Sequence, residues 1–221
     1  MITLALEAST YAGSAALLRD EKLVAERSVA MRGREHEALM PAVAELFVEQ
    51  DVVPGEIDRV VCGAGPGSFT SLRIAGAIAK GMALAAVCPL IPISSLALLV
   101  ASREPVEAGR YLAVLDALRG EHYVGLFEVT DAGETRPLGP ELRIPSGEIV
   151  ERAAQAHARV VGSGLPAEHV TTPRAGAVVR LGAMLAASPE ADLATWEPAY
   201  GRQAEAQVKW EAMHGRALEV T

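Results

Sequence analysis

The feature that most constrains this chain is an apolar run, residues 57–62, that stops at Gly63-Ala64-Gly65-Pro66-Gly67 and resumes as a long helical pattern reaching about Ala86. A short apolar run bounded by turn formers reads as a buried strand, and Ser68 stands where a helix N-cap belongs. A strand, a tight turn and a helix in immediate succession commit this part of the chain to a mixed α/β fold.

The rest of the chain extends that pattern. Residues 2–6 are apolar, Glu7-Ala8-Ser9-Thr10 is a polar turn, residues 14–18 are apolar again, and residues 23–29 alternate after a turn at Asp20-Glu21. This spacing predicts a three-strand meander. Between about 36 and 49, Leu39, Val43, Leu46 and Phe47 share one helical face. Pro41 requires either that the regular helix start near Met40 or that an earlier start be kinked. With a strand at 90–93 and a helix after Ser94-Ser95, the first half reads β-β-β-α-β-α-β-α. After Arg103-Glu104-Pro105 the pattern restarts with strands at 111–115 and 122–129 and an extended piece at 134–144. A helix capped by Ser146 runs to 156, followed by a strand at 159–161 and a helix at 177–187. Two related lobes follow, residues 1–104 and a reduced second lobe, residues 105–221.

Composition excludes several function classes. Half of the 221 residues are hydrophobic and 22% are charged, which is incompatible with disorder. The net charge is -8, the only lysines are Lys22, Lys80 and Lys209, and the arginines are scattered. Direct grip on a phosphate backbone needs clustered cations, so nucleic acid would have to be held by a partner. Residues 82–101 are almost wholly apolar, but Pro89, Pro92 and Ser94-Ser95 break them, and no membrane span is predicted. The start, Met1-Ile2-Thr3-Leu4, lacks a basic secretory n-region, and Cys62 and Cys88 sit in apolar runs without metal or redox spacing. A cytoplasmic protein with two reduced cysteines is expected.

Each chemical motif has two readings. A glycine-rich turn at a helix start can present N–H groups to an anion, or can simply be a tight turn. Here no Gly-Lys-Ser/Thr follows, and Ser68 replaces the last glycine of a dinucleotide fingerprint. Glu7, Ser9 and Thr10, with Gly65, Gly67, Ser68 and Asp116, are candidates for a nucleotide cleft or are ordinary turn residues. His36 has Met40 one turn on rather than a second ligand, so no metal and no cofactor are predicted. No nucleophile elbow is present. On the long helix, Ser71, Ala75, Ala79 and Ala83 recur every four residues, with Gly76 beside them. Such a row lets another helix approach closely, either from within the chain or from a partner. The partner reading predicts that Ala79→Arg blocks pairing and leaves the monomer folded.

Taken as strings, these residues resemble the TsaB (YeaZ) family over nearly the whole chain. GPGSFTSLR at 65–73 is similar to the family's GPGSFTGLRIG, and ITLALEAST at the start to ILALDTST. His36-Glu37 with Leu39 and Pro41 matches part of HSExLxP. Asp116-Ala117 through Tyr123 is similar to DARRGEVY, and Pro198, Tyr200 and Arg202 to PxYLR. Glu7 stands in place of an aspartate, Ser71 and Ala75 in place of glycines, and Gly201 in place of a leucine. The resemblance implies an actin/sugar-kinase/Hsp70-like (ASKHA) fold with a reduced second lobe. It also implies a non-catalytic scaffold for threonylcarbamoyladenosine formation on tRNA, heterodimeric with TsaD and joined by the ATPase TsaE, while TsaC makes the activated intermediate. The implied interface is His36, Leu39, Met40, Val43, Leu72, Ala75, Gly76, Ala79 and Ala83, which would also serve a homodimer in isolation. The alternative is an ATP-dependent transferase or phosphotransferase of the same fold, acting on its own with Mg²⁺ and nucleotide at Glu7, Ser9, Thr10, Gly65 and Asp116.

Overall fold

The computed structural model describes residues 1–33, 37–162, 169–201 and 213–214. Its opening meander is antiparallel: β1 (Ile2–Glu7), β2 (Ala12–Arg19) and β3 (Lys22–Ala30). The helix α1 (Leu39–Glu49) carries Pro41 in its first turn, where a missing N–H costs no helical hydrogen bond. The apolar run becomes β4 (Arg59–Gly63), parallel to β1. The long helix is α2 (Phe69–Ala86), and β5 (Leu90–Ile93) returns parallel to β4. These strands form a five-stranded sheet ordered β3-β2-β1-β4-β5. Next comes α3 (Ser95–Ala101), whose N-cap Ser94 accepts the Ala97 N–H at 3.1 Å.

The second sheet begins with the hairpin β6 (Gly109–Asp116) and β7 (Glu121–Val129). The extended piece resolves into two short strands, β8 (Thr135–Pro137) and β9 (Leu142–Pro145), both paired with β7. After α4 (Ile149–Gln155), β10 (Arg159–Gly162) and β11 (His169–Val170) complete the order β11-β10-β6-β7-β8. The last helix is α5 (Gly182–Ala187).

Three helix expectations need correction. Ser146 does not cap a helix: Ser146–Glu148 is a 3-10 turn, and the Ser146 hydroxyl donates to the Gly120 carbonyl at 2.8 Å. The expected helix at 177–187 is a 3-10 turn, Ala175–Arg180, followed by α5. The N–H groups of Ala175 and Gly176 donate to Ser14 Oγ (2.8 Å) and Glu26 Oε1 (2.7 Å), which pins that turn against β2 and β3 instead of letting it wind into a regular helix. Ser68 holds the N-cap position of α2, but its hydroxyl lies 3.1 Å from Ser71 Oγ and bonds no backbone N–H of the helix.

Strand alternation sorts side chains into three cores. Leu4, Leu6, Val60 and Cys62 face α1 and α2 on one side of the first sheet. Ala5, Ala16 and Val61 face the opposite way, onto a layer containing α3 that also receives Tyr111, Ala113 and Leu115 of β6. Leu112 and Val114 point away from that layer, onto Ile149 and Ala153 of α4. The two sheets therefore share a central helical layer, the ASKHA-type arrangement. Among the described residues no helix is long and apolar enough to cross a membrane.

The small-residue row of α2 lies on the inner side. Ser71, Leu72, Ala75, Gly76, Ala79 and Ala83 are all buried, as are Leu39 and Val43 of α1. The small Ala75, Ala79 and Ala83 let α2 settle closely onto β4 and β1, so this face belongs to the chain's own core and is not a seam open to a partner. The expectation for Ala79→Arg reverses: at 0% exposure an arginine has no route to water. The variant should lose about 4 kcal/mol or more of stability, read as collapse of the cooperative thermal melt. A melt within a degree of the parent would show that this row is accessible.

Candidate functional site

The glycine-rich turn links β4 to α2, and each of its three glycines is required by a different neighbour. A side chain at Gly63 would strike the Glu7 carboxylate, one at Gly65 the Ala199 carbonyl, and one at Gly67 the Ser9 carbonyl. Gly65 also has φ of +91°, a conformation costly for any residue with a Cβ. The turn's backbone groups are engaged as well. Gly65 N–H donates to Ser95 Oγ (3.1 Å), Ser68 N–H to the Ser9 carbonyl (2.7 Å), and Ala64 N–H to the Ile93 carbonyl (2.7 Å). The Ala64 carbonyl accepts the N–H of Ala199 at 2.7 Å. The turn is a packing node with the chain itself in its cradle.

Glu7 ends β1 beneath this turn and is fully buried. Its carboxylate accepts the Ser9 N–H and, at 2.9 Å, the Ser95 hydroxyl, which in turn accepts Gly65 N–H. Burial pushes its pKa above the ordinary 4.5, and the hydrogen bonds from Ser9 and Ser95 recover only part of that shift. The group sits inside the molecule as a strut joining β1, the glycine turn and α3. Ser9 is buried beside it, and Thr10 forms a local turn with the Ala12 backbone (3.0 and 3.2 Å). Asp116 is exposed and accepts the Leu118 N–H at 2.7 Å, an ordinary turn contact. The structure thus brings Glu7, Ser9, Gly65, Gly67 and Ser68 together around a filled interior and leaves Thr10 and Asp116 in turns. His36 lies outside the described residues. Among those described, no group of three or more His, Cys, Asp or Glu side chains converges to hold a metal ion. The Cys62 thiol is pushed strongly upward by burial, which keeps it protonated and inert.

The feature that sequence reasoning reached only at Met40 is the outer face of the α1–α2 layer. Met40, Ala44 and Val48 of α1, and Ala77, Gly81, Leu84 and Ala85 of α2, are exposed. Val48, Leu84 and Val87 are 85%, 72% and 92% exposed. Val87 also sits in the left-handed region, at φ 52°, as the C-cap of α2. The available signal was weak: α2 is apolar or small on nearly every side, so periodicity alone cannot say which face meets the sheet. A second missed feature is a pair at the β7–β9 edge, where Ser146 Oγ lies 3.1 Å from Nδ1 of the buried His122. That pair ties the ends of two strands together.

The buried carboxylate yields a prediction with a defined sign. Because the Glu7 pKa is raised on folding, the folded state holds more protons than the unfolded state at pH values above 4.5. Stability therefore falls as pH rises through that window. In Glu7→Gln, the amide can donate to Ser95 Oγ as a protonated carboxyl would, so the variant should melt higher than the parent near pH 8. The gap should close as pH approaches 4.5. A variant less stable than the parent across the whole range, in paired thermal melts, would show that the ionised form is the one the site requires.

Comparison with known proteins places this geometry. The family profile for TsaD, tRNA N6-adenosine threonylcarbamoyltransferase, matches residues 30–170. The chain is 28% identical to the Bacillus subtilis tRNA threonylcarbamoyladenosine biosynthesis protein TsaB, covering 95% of this chain and 98% of that one. It is 30% identical to the Escherichia coli TsaB, covering 86% and 83%. Among solved structures, YeaZ from Pseudomonas aeruginosa superposes with a TM-score of 0.76 at 27% identity, covering 90% of this chain and 99% of that one. Agreement over almost the full length of these relatives, in a two-sheet ASKHA-type architecture, makes the chain a member of the TsaB (YeaZ) family.

Proposed function

We propose that this chain is a non-catalytic partner subunit in threonylcarbamoyladenosine biosynthesis on tRNA, pairing with a TsaD protein through the outward face of α1 and α2. The observation that carries the proposal is the exposed aliphatic stripe of Met40, Val48, Leu84 and Val87 around the small Ala44, Ala77 and Gly81. Clustered exposed aliphatics mark contact surfaces, and small residues between them admit a second helix. A TsaD suits this face because its family profile spans residues 30–170, a range that includes both helices, so both partners would offer like elements to each other. The same surface would support a homodimer when the chain is alone. The net charge of -8 fits a subunit that leaves the RNA to its partner, with TsaE as a further member of a cytoplasmic assembly.

The competing reading is an ATP-dependent transferase working alone. It asks Glu7 to reach a metal-bound phosphate and the glycine turn to accept one. Instead Glu7 is enclosed by Ser9 and Ser95, and Ala199 sits on the turn. A reconstituted tRNA-modification assay with and without this chain separates the two readings. The scaffold role requires co-purification with the cognate TsaD and loss of modification when the chain is omitted. Turnover of ATP by the isolated chain in the presence of Mg²⁺ would support the transferase instead.

Two substitutions test the surface. Leu84→Arg should weaken pairing by about 100-fold or more on a sizing column or by calorimetry, with little change in the monomer's melting temperature. Val87→Gly removes a β-branched side chain from a left-handed position and should stabilise the monomer by about 1 kcal/mol. It should also weaken pairing, because the exposed isopropyl group is lost from the contact. Unchanged pairing in both variants would move the interface elsewhere.

A further inference from the structure

The segment 191–201 leaves the end of the second lobe and runs back across the first. It is anchored at one end by Ala191 N–H donating to the Leu90 carbonyl of β5 at 2.8 Å. A turn follows in which Asp192 accepts the Thr195 hydroxyl (2.8 Å) and the Ala194 N–H (3.0 Å). Trp196 and Pro198 then lie along α2: a side chain at Gly76 would meet Pro198 Cγ at 3.1 Å and Trp196 at 3.5 Å, and Lys80 Nζ stands 5.9 Å from the Trp196 ring. Ala199 seats on the glycine turn, and the Tyr200 ring packs on Phe69, the first residue of α2, at 4.4 Å. The Tyr200 carbonyl accepts the Tyr123 hydroxyl of β7 at 3.2 Å, and Gly201 closes against the Tyr123 ring.

The placement on α2 is specific. Each residue advances about 100° around a helix, which puts Phe69, Gly76 and Lys80 on one flank, between the buried row and the outward stripe. Arg73, Leu84 and Ala77 are the next positions round, so the flank borders the exposed face. The segment also links the glycine turn and the start of α2 that follows it to the β6–β7 hairpin of the second sheet. Pro198 is buried, Ala191, Leu193, Trp196 and Tyr200 are half-buried, with Ala191, Leu193 and Trp196 packed on the first-sheet core, and the remaining residues of the segment are exposed.

We propose that segment 191–201 is a latch that holds α2, and with it the outward α1–α2 face, in the position that binds the partner. The glycine run in this chain serves as the seat for that latch. Tyr123, Tyr200 and Phe69 act as positioning residues: they touch neither partner nor substrate, but they fix the helix that does. This inference rests on the pairing proposed above, and its test separates the two.

The test uses the full chain and the cognate TsaD. Tyr200→Ala removes the ring on Phe69, and Tyr123→Phe removes only the hydroxyl bonded to the Tyr200 carbonyl. Backbone hydrogen exchange and pairing affinity are measured for each. Both variants should retain a cooperative melt, exchange the amides of residues 64–72 about tenfold faster and bind TsaD about fivefold more weakly. Leu84→Arg, by contrast, should lose pairing with exchange at 64–72 unchanged. Exchange at 64–72 equal to the parent in the two tyrosine variants would overturn the latch. Faster exchange with undiminished pairing would overturn its link to docking. Should Tyr200→Ala fail to fold, Tyr123→Phe decides on the same two readouts. If the parent does not pair with TsaD, the pairing proposal fails and the coupling to docking with it, while the exchange data still decide whether the segment restrains α2.

Discussion

Three missing side chains in one turn hold this structure together. Gly63, Gly65 and Gly67 leave room for Glu7, Ala199 and Ser9 respectively, which come from the end of β1 and from the C-terminal segment. A methyl group at any of the three would displace backbone or a buried carboxylate. The turn therefore fixes where β1 ends, where α2 and α3 begin, and where the C-terminal segment lies. Much of what looks like an anion cradle in the sequence is explained by self-packing of this kind.

The same turn accounts for the buried charge. A carboxyl group with no contact with water is costly unless its hydrogen bonds are made, and Glu7 makes them with Ser9 and Ser95. The arrangement suits a neutral carboxyl as well as an ionised one, because Ser95 Oγ can accept as readily as it donates. A group in that setting is suited to joining elements and poorly suited to holding a metal-bound phosphate, which would need an open, charged carboxylate.

Helix α2 has three distinct sides, each set by a different set of neighbours. Its buried row meets the sheet, one flank meets Trp196 and Pro198, and the remaining side presents Ala77, Gly81 and Leu84 to solvent. Burying an Ala-rich face gains little apolar area per residue, but small side chains allow a close approach to the strands. The bulkier Leu84 and Val87, the latter at φ 52°, stay outside.

Local pattern was enough for most of the architecture. The meander, the β4–turn–α2 unit and the β6–β7 hairpin follow from alternation, glycine and proline placement, and helical spacing, all of which act over a few residues. The 3-10 turns at 146–148 and 175–180 were not legible, because Gly120, Ser14 and Glu26, the groups that reshape them, lie far away in sequence. The orientation of α2 was likewise undetermined: a helix with alanine, glycine and isoleucine on most sides satisfies the same periodicity in several rotations. Only the close packing of Ala75, Ala79 and Ala83 onto β1 and β4 selected one of them, turning Leu84 and Val87 outward. Composition and spacing determined that this chain would be a two-sheet α/β protein with a glycine turn at its centre. Which residues stay exposed was decided by tertiary packing, since burial is a property of contacts between distant segments and no local pattern encodes it.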